Sequence, residues 1–206
     1  MRVEQLGVVE YREAMELQDR LRDEVQAGGE ERLLLLEHLP VYTLGRRSGP
    51  EDLPMGEDWY RTQGIDVVRT DRGGRLTYHG PGQLVGYPIM RVGDVPAYVA
   101  GMERAIVEAL ATEGIAATTR EGVEFTGVWV GERKIASIGI HVSHGVTKHG
   151  FAINVDNDLQ PFEWVVACGL GEVQMTSVCR EIGHGDRLGE FRERMAEAFC
   201  AVAAAS

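Results

Sequence analysis

The residues of this chain that could do chemistry gather in three places. The first is the stretch 71–88, D-R-G-G-R-L-T-Y-H-G-P-G-Q-L-V-G-Y-P. In it Gly73, Gly74, Gly80, Gly82 and Gly86 surround Arg72, Arg75, Tyr78 and His79. Glycine lets backbone N–H groups approach a ligand closely and allows φ > 0 where the chain folds back. Thr77, Tyr78 and His79 add hydrogen-bonding side chains at the same place. The same residues also fit a plain loop between two strands with a hydrogen-bonded histidine.

The second place is Lys134. Lys134 and Lys148 are the only lysines, and every other basic side chain apart from histidine is arginine. Unlike a guanidinium, an amine can lose its proton. In the apparent strand Lys134 to Val142, alternation puts Lys134 on one face with Ala136, Ile138, Ile140 and Val142. An amine over such a face loses hydration, so its pKa is expected to fall from ~10.4. A neutral amine can act as a general base. A lysine at a strand end that snorkels to water satisfies the pattern equally well.

The third place is Cys168, in V-V-A-C-G-L-G, where the flanking glycines leave room for a substrate. Most single cysteines are buried and inert. Cys179, after Val178 in an expected strand, and Cys200, in the last helix, fit that description. A cysteine close to a deprotonatable amine forms a thiolate, which attacks thioesters.

Common motifs fail. Gly80, Gly82 and Gly86 have the wrong spacing for a dinucleotide fingerprint, and a strand follows them instead of a helix. Neither lysine follows a glycine, so no Walker loop exists. Ser143 lacks the first glycine of a nucleophile elbow. Asp156-Asn157-Asp158 opens like a calcium loop, but Pro161 stands where the glycine is needed. His141, His144 and His149 are close enough to test as metal ligands. On a strand His141 and His144 would point to opposite faces, although the following turn could still gather all three.

The elements that must hold these residues read as follows. Residues 1–9 form a strand, and 11–27 form a helix with Ala14, Leu17, Leu21 and Val25 on one face and Gly28-Gly29 at its end. Leu33 to Leu36 is a buried strand, with Val41 to Leu44 as its expected partner. Gly49 to Gly56 is a loop. Ile65 to Arg69 leads into the glycine-rich stretch, and Leu84 to Met90 leaves it. A second helix spans 95–113, with Pro96 in its first turn. Phe125 to Val130 and Lys134 to Val142 form a hairpin; another turns at Ser143 to Gly145 and returns through His149 to Val155. Asp186 caps a last helix, with Leu188, Phe191, Met195 and Phe199 inward. Hairpins mixed with separate helices predict an α+β fold with mixed β-sheets and flanking helices, in one domain spanning 1–206.

The formal net charge of −11 argues against nonspecific nucleic-acid binding. An acidic partner would need a local positive patch, for which Arg46, Arg47, Arg69, Arg72 and Arg75 are the candidates. The three cysteines form no C-x-x-C pair, and the N-terminus has no apolar signal region. No run approaches the ~18 apolar residues of a membrane span. A cytoplasmic, non-membrane protein is expected, and a monomer.

Several long segments resemble the lipoyl(octanoyl) transferases, the LipB family. They are R-G-G-R-L-T-Y-H-G-P-G-Q-L-V-G-Y-P at 72–88, G-V-W-V-G-E-R-K-I-A-S-I-G-I at 127–140, T-K-H-G-F-A-I-N-V at 147–155 and A-C-G-L at 167–170. L-L-L-E-H-L-P-V-Y-T-L-G-R at 34–46 is similar too. The resemblance covers nearly the whole chain. It implies the fold of biotin and lipoate protein ligases, which is class II synthetase-like. It also implies transfer of an octanoyl group from octanoyl-acyl carrier protein to a lysine of a lipoyl domain. The acceptors implied are the E2 subunits of 2-oxoacid dehydrogenases and the glycine cleavage H protein.

By the same resemblance, Cys168 carries the acyl group as a thioester, and Lys134 lowers the cysteine's pKa and serves as acid/base. The acyl pocket implied comprises Arg72, Gly73, Gly74 and Arg75, followed by Leu76, Thr77, Tyr78 and His79. Ser137, Ile138 and Gly139 border it, as do Gly150, Phe151 and Ala152. His79 would orient Lys134 or donate to the oxyanion, and amides near Cys168 or at Gly73-Gly74 would serve as oxyanion donors. Many members have proline before the cysteine, where this chain has Ala167. No cofactor and no metal are implied, since the acyl group arrives already activated. The rival readings are an ATP-dependent lipoate or biotin ligase and a noncatalytic module that binds an acyl carrier or a lipoyl domain. A cysteine hydrolase fits less well, because that chemistry pairs Cys with His and an orienting Asn or Asp.

Overall fold

A computed structural model describes residues 1–166 and 173–204. The run Leu33–Leu36 is fully buried and forms the middle of strand β2 (Arg32–His38). Burying each of these side chains contributes about 1.5–3 kcal/mol, which fixes β2 inside a sheet covered on both faces. That sheet has six strands in the order β1-β2-β6-β9-β8-β7. The others are β1 (Arg2–Val9), β6 (Gln83–Ile89), β7 (Gly127–Val130), β8 (Arg133–Ser143) and β9 (Val146–Asn154). β1 runs parallel to β2; the remaining pairs are antiparallel. A smaller sheet, ordered β4-β3-β5, joins β3 (Val41–Leu44), β4 (Asp66–Arg69) and β5 (Thr77–His79). The expected α+β class with mixed sheets is the observed one.

Alternation along the strands divides the core. Leu33, Leu35, Leu84, Phe151 and Ile153 face helices α3 (Val95–Thr112) and α5 (Leu188–Ala204). Leu34, Leu36, Val85, Ile89 and Ala152 face α1 (Tyr11–Gln26). Helix α1 starts at Glu10, whose carboxylate accepts from the N–H groups of Arg12 and Glu13. α3 starts at Asp94, with Pro96 in its first turn as expected.

Several expectations are corrected. Val41–Leu44 pairs with β4 and β5 rather than with β2. Residues 77–79 are a strand of the small sheet instead of loop. A short helix, α2 (Glu57–Thr62), follows the Gly49–Gly56 loop. The expected return strand through His149 is observed as β9. Cys179 lies in helix α4 (Val178–Ile182), because Ser177 caps its N-terminus and Gly183 ends it at φ 81°. Asp186 is not the cap of α5, which starts two residues later; its N–H donates to Asp156.

Candidate active site

The glycine-rich stretch forms one wall of a cleft with a volume of about 200 Å³. Arg72, Gly73, Gly74, Arg75, Leu76, Thr77 and His79 line that wall; Lys134, Ser137, Ile138 and Gly139 line a second, and Gly150, Phe151 and Ala152 the floor between them. Tyr78 is not in the cleft. Alternation along β5 turns it the other way, into a core with Tyr42 and Phe162. Cys168 and Ala167 lie outside the described residues.

The wall is tied down by hydrogen bonds to its own backbone. Arg46 and Arg47 donate their N–H groups to the carbonyls of Arg72 and Gly74, at 3.0 and 3.1 Å. A β-carbon on Gly45 would lie 2.5 Å from Gly74 O, so only glycine admits this approach. The N–H of Gly73 donates to Ile140 O at 2.8 Å, so it is already occupied and is not an oxyanion donor. Arg72, though charged, is buried: its Nη2 donates to Thr43 O at 2.6 Å and to Thr43 Oγ1 at 2.8 Å. Arg72 is therefore a structural cation. Arg75 pairs with Asp52, and Arg69 with Glu57. Of the suggested positive patch, Arg46 and Arg47 remain exposed without an ion pair among the described residues.

His79 is held as a neutral ring. Its Nδ1–H donates to Gln83 Oε1 at 2.8 Å, while the Gln83 amide donates to Tyr78 O and to Asn154 Oδ1. Its Nε2 faces Thr43 Oγ1 at 3.4 Å. Burial, then the neighbouring His38, pushes its pKa well below the ordinary value. Both nitrogens have partners other than Lys134, so His79 does not orient that lysine.

Asp71 anchors the start of the wall. Lys148 Nζ lies 3.1 Å from one carboxylate oxygen and His149 Nε2 lies 2.6 Å from the other. Neighbours in a regular strand point to opposite faces. His149 takes φ 58° instead, which turns its ring back to the side of Lys148. His141 Nδ1 donates to Asp71 O at 3.0 Å. Two of the three clustered histidines thus serve Asp71, while His144 lies in the turn beside Ser143 Oγ. Two buried polar atoms of cleft residues, Thr77 Oγ1 and His149 Nδ1, have no hydrogen-bond partner among the described residues.

Lys134 reaches the cleft by a route that alternation misses. Trp129 pairs with Lys134 and Val128 with Ala136, leaving Ile135 as an extra residue in β8. This bulge moves Lys134 off the face of Ala136 and Ile138 onto that of Ser137 and Gly127. The lysine is 2% exposed. Its backbone also pairs with the chain beyond Cys168: Lys134 N donates to Gln174 O at 2.9 Å and Thr176 N to Lys134 O at 3.0 Å. On the near side of the cysteine, Val166 N donates to the carbonyl of Asp52, the partner of Arg75.

The sequence of residues 10–200 matches the lipoyl protein ligase A/B catalytic domain. The chain belongs to that family.

Two curated relatives of the family are particularly similar. The octanoyltransferase of Nitratidesulfovibrio vulgaris is 45% identical, the match covering 100% of this chain and 96% of the relative. The octanoyltransferase of Mycobacterium tuberculosis is 44% identical over 97% of this chain and 85% of its own. Among solved structures, lipoate-protein ligase A bound with ATP superposes with a TM-score of 0.82 at 20% identity, over 98% of this chain and 84% of that one. Biotin protein ligase from Aquifex aeolicus gives 0.57 at 12% identity, over 98% and 68%. These two likenesses establish the ligase-type fold. No helix among the described residues is long and apolar enough to cross a membrane.

Tyr11, Tyr87 and His149 also border the family's cleft here, and sequence reading did not place them there. Tyr11 stacks on His79 at 5.8 Å, and Tyr87 lies near His38 with its hydroxyl 2.7 Å from Nε2. Burial pushes the Tyr11 hydroxyl up to about 12, so it stays protonated as a hydrogen-bond donor.

Proposed function

We propose that this octanoyltransferase moves an octanoyl group from acyl carrier protein to a lysine of a lipoyl domain, through a thioester on Cys168 with Lys134 as acid/base. The catalytic unit is the single domain 1–206. One observation carries the reading. The amine-bearing residue Lys134 is buried on a cleft wall, and its backbone pairs with Gln174 and Thr176, six and eight residues after Cys168 in the sequence.

In the first half-reaction Lys134 Nζ takes the proton of Cys168, and the thiolate adds to the donor's thioester carbonyl. The tetrahedral intermediate collapses, breaking the bond to the donor sulfur, and Lys134 returns the proton to that leaving thiol. In the second half-reaction the neutral acceptor amine adds to the acyl-enzyme carbonyl. Lys134 takes a proton from the new amine nitrogen and passes it to Cys168 Sγ as the thioester breaks. The acyl group enters activated, so no nucleotide is consumed. Each addition places charge on the carbonyl oxygen. With Gly73 N–H occupied, the buried Thr77 hydroxyl, unpartnered among the described residues, is the group we assign to it. Arg72 to His79, without Tyr78, together with Ser137 to Gly139 and Gly150 to Ala152, enclose the acyl chain.

Intact mass measurement after incubation with octanoyl-acyl carrier protein, without ATP, tests the proposal. An octanoyl adduct that is missing in Cys168→Ser supports it. Transfer that proceeds only when ATP is supplied overturns it in favour of a ligase.

A further inference from the structure

A cleft built for this reaction has an electrostatic difficulty at its second step. Arg47 and Arg72 line it, beside an Arg75 already paired with Asp52, and the acceptor lysine arrives as an ammonium. Like charges in a partly enclosed site repel. Among the described lining residues Glu124 is the one carboxylate.

Glu124 sits in the short 3₁₀ turn Val123–Phe125, which leads into β7 and is built to hold its shape. Thr126 Oγ1 donates to Val123 O at 2.9 Å, and Phe125 N donates to Gly122 O at 3.0 Å. Trp129 Nε1 donates to Phe125 O at 2.9 Å, and Gly127 N donates to Glu103 Oε1 at 3.0 Å. Gly127, at the end of the turn, packs on the lysine: a β-carbon there would lie 2.9 Å from Lys134 Cε. Glu124 itself is exposed and has no hydrogen-bond or ion-pair partner among the described residues. Beside it Val123 is 72% exposed, so its side chain is open to a partner.

We infer that Glu124 and Val123 form the acceptor subsite: the carboxylate receives the incoming lysine ammonium, and the valine covers the methylene stem of that lysine. The inference rests on the acyl-transfer reading. Glu124 orients the acceptor and offsets the cationic wall, and the ammonium gives its proton to solvent before the amine attacks. The donor reaction brings no ammonium and does not use this subsite.

Glu124→Gln keeps the shape of an exposed side chain and removes its charge. Formation of the octanoyl adduct from octanoyl-acyl carrier protein is expected to proceed at the unaltered rate. The KM for a lipoyl-domain acceptor is expected to rise roughly fivefold, as for loss of one solvent-accessible ion pair. Release of the acyl group by hydroxylamine, an uncharged nucleophile, is expected not to change. An unchanged acceptor KM in Glu124→Gln, with the adduct forming normally, overturns the subsite. Equal weakening with hydroxylamine also overturns it, because charge on the acceptor would then be irrelevant. Failure of the unaltered protein to form any adduct overturns the transfer reading and this inference with it.

Discussion

The amine of Lys134 lies 5.2 Å from the centre of the Trp129 ring, its cross-strand partner at a β-bulge. The ring packs against the lysine side chain and fixes where its nitrogen lies. Proton exchange at this nitrogen needs an amine, since a guanidinium keeps its proton near neutral pH.

Lys134→Arg is accordingly expected to fold, with an unfolding midpoint near that of the parent, yet to lose acyl transfer by about 10²–10⁴-fold. Circular dichroism melting and the rate of adduct formation check the two halves. Transfer at the parental rate would rule out the acid/base role.

Thr77→Val removes the buried unpaired hydroxyl and keeps the β-branched shape that suits β5. The rate of acylation is expected to drop about 10²-fold if that hydroxyl meets the developing oxyanion. Stability is expected to hold or rise slightly, because no hydrogen bond among the described residues is lost. A rapid-quench comparison of the two proteins decides it.

Gly86→Ala tests the floor of the cleft. A β-carbon at residue 86 would lie 2.1 Å from Phe151 Cζ, deep within contact distance. Overpacking of this kind costs about 1–3 kcal/mol, and relief requires Phe151 to shift within the cleft. Denaturant unfolding is expected to show the loss, and the preferred acyl chain length is expected to change with it.

Stability is expected to fall as pH drops below about 6.5, the ordinary histidine value. Burial lowers His38 to about 4, and burial also lowers His79. Both rings are neutral in the folded protein but take up protons on unfolding, so the unfolded state gains below 6.5. The loss continues until pH approaches the folded-state value. His38→Gln is expected to flatten the curve of unfolding midpoint against pH between about 6.5 and 4; an unchanged slope would assign the dependence to other groups.

Residue types and glycine density located the cleft wall at 72–79, and the apolar run Leu33–Leu36 located the sheet's centre. Three kinds of feature escaped. The bulge at Ile135 is invisible to alternation, because an inserted residue looks like any other strand residue until its partner is known. Tyr11 stands far from the glycine-rich stretch, and a tyrosine opening an amphipathic helix reads as core. Read as loop, the stretch groups Tyr78 with its neighbours. Once residues 77–79 are a strand, its direction reverses. Cys179 is ambiguous for a related reason: one residue after an apolar valine suits a strand or a helix, and only the Ser177 cap separates them.

The Lys148 ammonium lies 2.7 Å from Asp19 on α1 and 3.1 Å from Asp71 at the head of the glycine-rich wall. A single cation thus couples the first helix to the glycine-rich wall of the cleft. A change on the outer turn of that helix, such as Asp19→Ala, frees Lys148 to settle wholly on Asp71. The wall would then shift in step with a residue that never meets the substrate.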